Sequence, residues 1–144
     1  MPNAVAVDIA DAVVSALNAQ TFSQAFTAAR LYVPRETLED LKTLAVSVVP
    51  ESVVATRHDR AAFEEDYRVV VAIRKKLTGD APADVDPYVL LTQEIADYLR
   101  ANRPPLYSDA APVAVEIDPF FVPDQLDTKR QFTSLLTVTY QLFR

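Results

Sequence analysis

The chain has one glycine in 144 residues, Gly79, no cysteine and no tryptophan, and its single histidine is His58. Each shortage removes a class of chemistry. Without cysteine there is no disulfide framework and no thiolate chemistry. A lone glycine cannot build the glycine-rich loops that bring backbone close to a phosphate. It also withholds the residue that tight two-residue hairpin turns prefer, so turns must be longer, or set by asparagine, aspartate and the ten prolines. Any metal centre or Ser-His-Asp arrangement would have to use His58. Its neighbour Asp59 is expected to point elsewhere, which leaves His58 as a solvated loop residue. A basic excess is missing too: 14 Lys and Arg against 20 Asp and Glu give a net charge of −6. A general nucleic-acid binder needs a basic face to displace counterions from phosphates. No apolar run approaches the roughly 18 residues of a membrane helix. Met1 to Asp8 has neither a basic start nor a long apolar core, so it does not read as a signal peptide.

What is present is a folded-protein composition, 50% apolar and 24% charged, in a length that suits one domain over residues 1–144. The clearest pattern is at the end. Phe132, Ser134, Leu136, Val138, Tyr140 and Leu142 alternate with more polar neighbours, the period-two mark of a strand with one buried face. Tyr67, Val69, Val71 and Ile73 do the same within a strand over 66–76. Further strands are expected over 26–33, over 44–49 with Pro50 as a stop, and over 111–121. Residues 5–19 place Val5, Ile9, Val13, Ala16 and Leu17 at helical spacing. Asp86-Pro87 reads as the start of a second helix, with Tyr88, Leu91, Ile95, Tyr98 and Leu99 on one stripe and an end near Asn102. Arg35–Lys42 reads as a connection with one helical turn, and 51–65 and 123–129 as irregular. The fold class is therefore α+β: a mostly antiparallel sheet of about five strands with two main helices packed on it, in the order α-β-β-β-α-β-β. Eleven or more residues at about 3.3 Å each make a strand of roughly 36–40 Å. A globule of this size is no wider, so the long strands either overhang it or are broken by a bulge.

The search for catalytic chemistry returns little. Glu116 and Asp118 lie two apart on an expected strand and could share a face, as a magnesium pair or an acid–base pair does; an ordinary solvated strand looks the same. Asp80, Asp84 and Asp86 have the wrong spacing for a calcium loop and no glutamate at the twelfth position. Glu64-Glu-Asp66 beside Arg57-His-Asp-Arg60 is a mixed charge cluster, solvated or docked on a partner. Tyr88 and Tyr98 read as core. No cofactor is expected.

The order of elements and several local runs together resemble the tail-terminator (tail-completion, neck) proteins of long-tailed bacteriophages. The similar runs are Val33-Pro-Arg35, Leu38-Glu-Asp-Leu41, Val46-Ser-Val-Val-Pro50, Thr56-Arg-His-Asp-Arg60, Tyr67 to Lys76 and Phe132 to Tyr140. The resemblance covers nearly the whole chain and carries no catalytic signature. It implies a non-enzymatic structural protein of the virion tail or neck, made in the bacterial host cytoplasm. Such a protein forms a hexameric homo-oligomeric ring that caps the tail tube, ends its polymerisation and joins it to the head connector. Its partners would be copies of itself, the tail-tube protein and head–tail connector proteins. DNA would pass the acidic lumen without specific binding, and no membrane is involved. Loop position and charge mark Arg57, His58, Asp59, Arg60, Asp127, Lys129 and Arg130 as interface candidates. The competing readings are another head–tail completion protein, a small metal-dependent hydrolase using Glu116 and Asp118, and a monomeric binding module.

Overall fold

The computed structural model describes residues 3–32 and 43–144, so the short connection expected over Arg35–Lys42 lies outside the described residues. Helix α1 (Val5–Ala19) leads into strand β1 (Ala28–Arg30). Strands β2 (Ala45–Arg57) and β3 (Phe63–Lys76) form a long hairpin. Helix α2 (Pro82–Ala101), a single 3-10 turn at Pro105–Tyr107, strand β4 (Ala111–Ile117), a short helix α3 (Pro123–Lys129) and strand β5 (Gln131–Phe143) complete the order. The five strands form one sheet in the order β1-β2-β3-β5-β4. Every pairing is antiparallel except β1 with β2, which makes the sheet mixed. This is the expected α+β architecture, with α3 added.

One hydrophobic core explains the layering. Ile9, Val13 and Leu17 of α1 and Leu91, Ile95 and Leu99 of α2 join Val46, Val48, Val69, Val71, Ile73, Leu136, Val138 and Tyr140 of the sheet. These strand residues are the alternate ones, so both helices cover the same face. The six alternating positions from Phe132 to Leu142 are all buried, as their period requires. The opposite face carries polar and charged side chains such as Arg68, Thr137 and Thr139. At one end of it, Thr133 Oγ1 meets Gln125 Oε1 of α3 at 2.6 Å. Asn18 near the end of α1 fixes β1: its Nδ2 donates to the Ala28 carbonyl at 3.1 Å, and its Oδ1 accepts from the Ala28 amide at 2.7 Å.

Several element boundaries differ from the sequence reading. The first strand, expected over 26–33, is paired only over Ala28–Arg30, and β3 begins at Phe63 rather than at 66. Pro50 does not stop β2; the strand continues to Arg57 through a register shift between Pro50 and Ser52. Proline is tolerated at bulges and on edge strands, and here β1 pairs only as far as Val48. Residues 51–65 are accordingly the far half of the β2–β3 hairpin rather than an irregular stretch. Helix α2 begins at Pro82, leaving Pro87 inside it. The amide that Pro87 lacks would have bonded to the carbonyl of Ala83, an exposed residue whose oxygen water can reach. Finally, β4 ends at Ile117, before a cis Asp118–Pro119 bond, and the connection after it contains α3.

Candidate interaction surface

β3 and β5 run as a continuous ladder from Lys76–Gln131 to Glu64–Phe143, with no shift of register. At about 3.3 Å per residue the fourteen residues of β3 reach roughly 45 Å. The helices do not extend that far. Every residue from Glu51 to Ala61 is exposed, on both faces of the sheet. The overhang is a three-stranded tongue. The Phe63 amide donates to the Arg144 carbonyl at 2.6 Å, and the Arg144 amide returns a bond to the Phe63 carbonyl at 2.9 Å.

The turn at its tip shows how the chain manages without glycine. Asp59 Oδ1 accepts from the amides of Ala61 at 2.7 Å and Ala62 at 2.9 Å. These bonds to the charged carboxylate hold its pKa below the ordinary aspartate value, with a small further contribution from His58. An aspartate that binds its own backbone two or three residues on closes a turn that would otherwise call for glycine.

Partner strands assign the side chains of the tongue to its two faces. On the helix-side face, Arg57 lies over the ring of Phe63 and Arg144 Nη1 stands 3.5 Å from Glu65 Oε1, an ion pair rather than a good hydrogen bond. Burial pushes the Tyr67 hydroxyl above its ordinary pKa, and Tyr67 together with Glu65 raises that of Arg144. On the other face His58 stacks at a tilt on Phe143, centroids 4.9 Å apart. There Gln141 Nε2 donates to Glu64 Oε1 at 2.7 Å and reaches Asp66 Oδ1 at 3.4 Å. Val53, Val54, Phe63 and Phe143 remain substantially exposed. Their chemistry is that of a contact surface: apolar side chains flanked by Arg57, Arg60 and a row of carboxylates, with a strand edge alongside.

The seven candidate interface residues fall into two groups. Arg57, His58, Asp59 and Arg60 form the tip of the tongue. Asp127, Lys129 and Arg130 sit at α3 and the start of β5, next to Lys76, which is the opposite end of β3. The two groups are separated by roughly 40 Å of strand. Arg130 is held there by structure: it takes the left-handed conformation that ends α3, with φ 51°, and its guanidinium pairs with Asp80 Oδ2 at 2.8 Å. Sequence reasoning passed over Val53, Val54, Phe63 and Phe143. The β-branched run Ser52-Val-Val-Ala-Thr56 is a strand signal, masked by the stop that Pro50 implies.

Of the candidate metal pair, Glu116 is exposed on β4 and Asp118, also exposed, follows the end of the strand with its amide donated to the Leu135 carbonyl at 3.0 Å. Among the described residues no group of three or more His, Cys, Asp or Glu side chains is placed to hold a metal ion. Among the same residues no helix is long and apolar enough to cross a membrane. An open groove of about 380 Å³ lies between α2 and β4, lined by Gln93, Asp97, Arg100, Val113, Val115 and Phe120 among others.

No protein-family profile matches the sequence, and no curated protein does. Among solved structures the fold is similar to that of the sheath/tube terminator of an extracellular contractile injection system, the PVC, in its extended state. The TM-score is 0.52 at 10% sequence identity, over 100% of this chain and 58% of the other. The chain therefore spans little more than half the length of that terminator. At this identity the likeness establishes a shared α+β fold.

Proposed function

We propose that this protein is a structural end-cap of a tail tube: a self-assembling subunit that closes one end of the tube and stops its growth. The observation that carries the reading is the tongue. The β2 strand of the tongue is exposed on both faces, with Val53, Val54, Phe63 and Phe143 uncovered; this part contributes little to the core and gains stability when a second surface covers it. A tail-terminator fold makes a neighbouring subunit or a tube end the natural cover. The action is geometric, without turnover. Copies joined head to tail close into a ring when the rotation between them is right, and the resulting ring occupies the site where the next layer of tube would add.

Finer assignments belong to the same proposal. The ring has six copies, its contacts include the tip residues Arg57, His58, Asp59 and Arg60, and Asp127, Lys129 and Arg130 at the far end meet a second layer of the assembly. Tube and sheath proteins are the partners in a contractile particle. In a phage virion the outer face would meet the head connector, and a net charge of −6 suits DNA that passes without sticking. The test is the mass of the protein in solution, by light scattering over a wide concentration range, alone and with polymerised tail tubes. A discrete oligomer, or a ring bound at tube ends, is expected. A monomer under every condition, unbound by tubes, would overturn the proposal.

A further inference from the structure

The two ends of the sheet differ in a way that identifies what joins to what. One end is β2. Its outer edge is paired by β1 only along Val46–Val48, with one further bond from the Leu31 amide to the Val48 carbonyl. Beyond the bulge, Ser52–Arg57 has no strand on its outer side among the described residues. Natural edges of this kind are blunted by proline, lysine or a bulge. From Ser52 to Thr56 there is none, and Val53 and Val54 are 48% and 58% exposed. The other end is β4, which has no strand on its outer side among the described residues and carries Pro112 and a register shift between Pro112 and Ala114 near its start. Beside it lies the groove against α2, with Val113 half exposed on its rim.

Strand direction makes these ends compatible. β2, β3, β5 and β4 are each antiparallel to the next, so β2 and β4 run opposite ways. A second copy moved sideways along the sheet therefore presents its β2 to β4 in antiparallel sense, with the helices of both copies on one side. Charge agrees with this sense of pairing. It brings the Arg57–Arg60 tip of the incoming tongue to the start of β4, just after the exposed carboxylate of Asp109.

We infer that the free edge of β2, Ser52–Arg57, adds to the free edge of β4 in a second copy of this chain, laying the tongue against the groove beside α2. The inference rests on the ring-forming reading above and gives it a specific joint. The contact is heterologous, because each copy offers β2 to one neighbour and β4 to the other, so the sheet continues from subunit to subunit and closes only as a ring.

The absence of cysteine makes the test direct. Val54→Cys and Val113→Cys are made as separate variants, mixed, and treated with a short bis-maleimide. Covalent dimers of mixed composition are expected, with none from either variant alone. Adding Arg57→Glu and Arg60→Glu to the Val54→Cys copy should remove most of the cross-linking, and Asp109→Lys in the Val113→Cys copy should restore part of it. Thermal melts of each variant confirm that it is folded. Cross-linking of Val54→Cys with itself would show a two-fold β2–β2 joint and overturn the inference, as would cross-linking that ignores the charge reversal. Absence of mixed dimers where the wild-type protein forms a discrete oligomer would also overturn it while leaving the ring reading intact. A protein that is monomeric both alone and with tubes would sink the ring reading and this joint together.

Discussion

The guanidinium carbon of Arg57 lies 4.6 Å from the ring centroid of Phe63, directly across the hairpin from it. Both residues stand on the overhang, where no helix covers them, so their contact links the last paired residues of β2 and β3 without joining the core. An exposed cation–π contact of this kind contributes about 0.5–1 kcal/mol. Phe63→Ala should therefore lower the unfolding free energy, read from denaturant unfolding, by about 1 kcal/mol. A loss of several kcal/mol would mean that the tip is packed in the isolated subunit.

Reversal of charge at the tip should separate assembly from folding. Arg57→Glu with Arg60→Glu alters two exposed side chains and removes the Arg57–Phe63 contact, a cost of about 0.5–1 kcal/mol. The double variant is expected to stay folded, with a melt only slightly below that of the parent, but to lose self-association or capping at least tenfold. Sedimentation and thermal melts on the same samples check both halves. Unchanged oligomer size and unchanged tail length would count against a role for the tip.

The Asp59 turn should weaken in acid. Its folded pKa is depressed by the two amides it binds, so the bonds contribute fully above the ordinary aspartate pKa of about 3.9. That contribution is lost as pH falls through the lowered folded value. Amide exchange at Ala61 and Ala62 should accelerate below about pH 4, and Asp59→Ala should show the accelerated rate already at neutral pH. Protection of those amides that ignores both changes would remove Asp59 as the turn-former.

Tyr140 offers a test of the core. Its hydroxyl is fully buried with no hydrogen-bond partner among the described residues, and burial pushes its pKa well above the ordinary tyrosine value. An unsatisfied buried hydroxyl costs about 1–3 kcal/mol, so Tyr140→Phe should leave stability unchanged or raise it by about 1 kcal/mol. A fall of that size in chemical denaturation would reveal a partner for the hydroxyl. Leu136→Ala, which empties a fully buried site, should cost about 2–5 kcal/mol.

Asn18 holds β1 through two bonds to the backbone of Ala28. At about 1 kcal/mol each, their loss in Asn18→Ala should destabilise the chain by about 1–2 kcal/mol. It should also expose the Ala28 amide to exchange before the rest of the sheet. Uniform loss of protection across the sheet would instead make β1 part of the global unfolding unit.

Residues whose burial repeats along an element were the legible ones. Helix α1 spans 5–19 as the spacing of Ile9, Val13 and Leu17 implied, and β5 runs from Gln131 to Phe143 with the alternation read from its residues. Prolines misled. Pro50 and Pro87 read as boundaries in the sequence, yet one sits at a bulge and the other within a helix, because position in the sheet or on the surface decides whether a missing amide matters. The tongue was legible only as length: a strand of eleven or more residues over 66–76 had to overhang or bend, and the ladder with β5 shows no shift. Its exposed apolar side chains were hidden because period two indicates two faces and leaves open whether either one is covered. That β2 and β4 present outer edges could not be read at all, since strand order is a property of the tertiary fold.

The most direct measurement is the length of tail tubes polymerised with and without this protein, counted by negative-stain electron microscopy. Shorter tubes with a ring of density on one end are predicted, and tubes of normal length are predicted for the Arg57→Glu, Arg60→Glu variant. Tubes whose length and ends are unaffected by saturating wild-type protein would contradict the account.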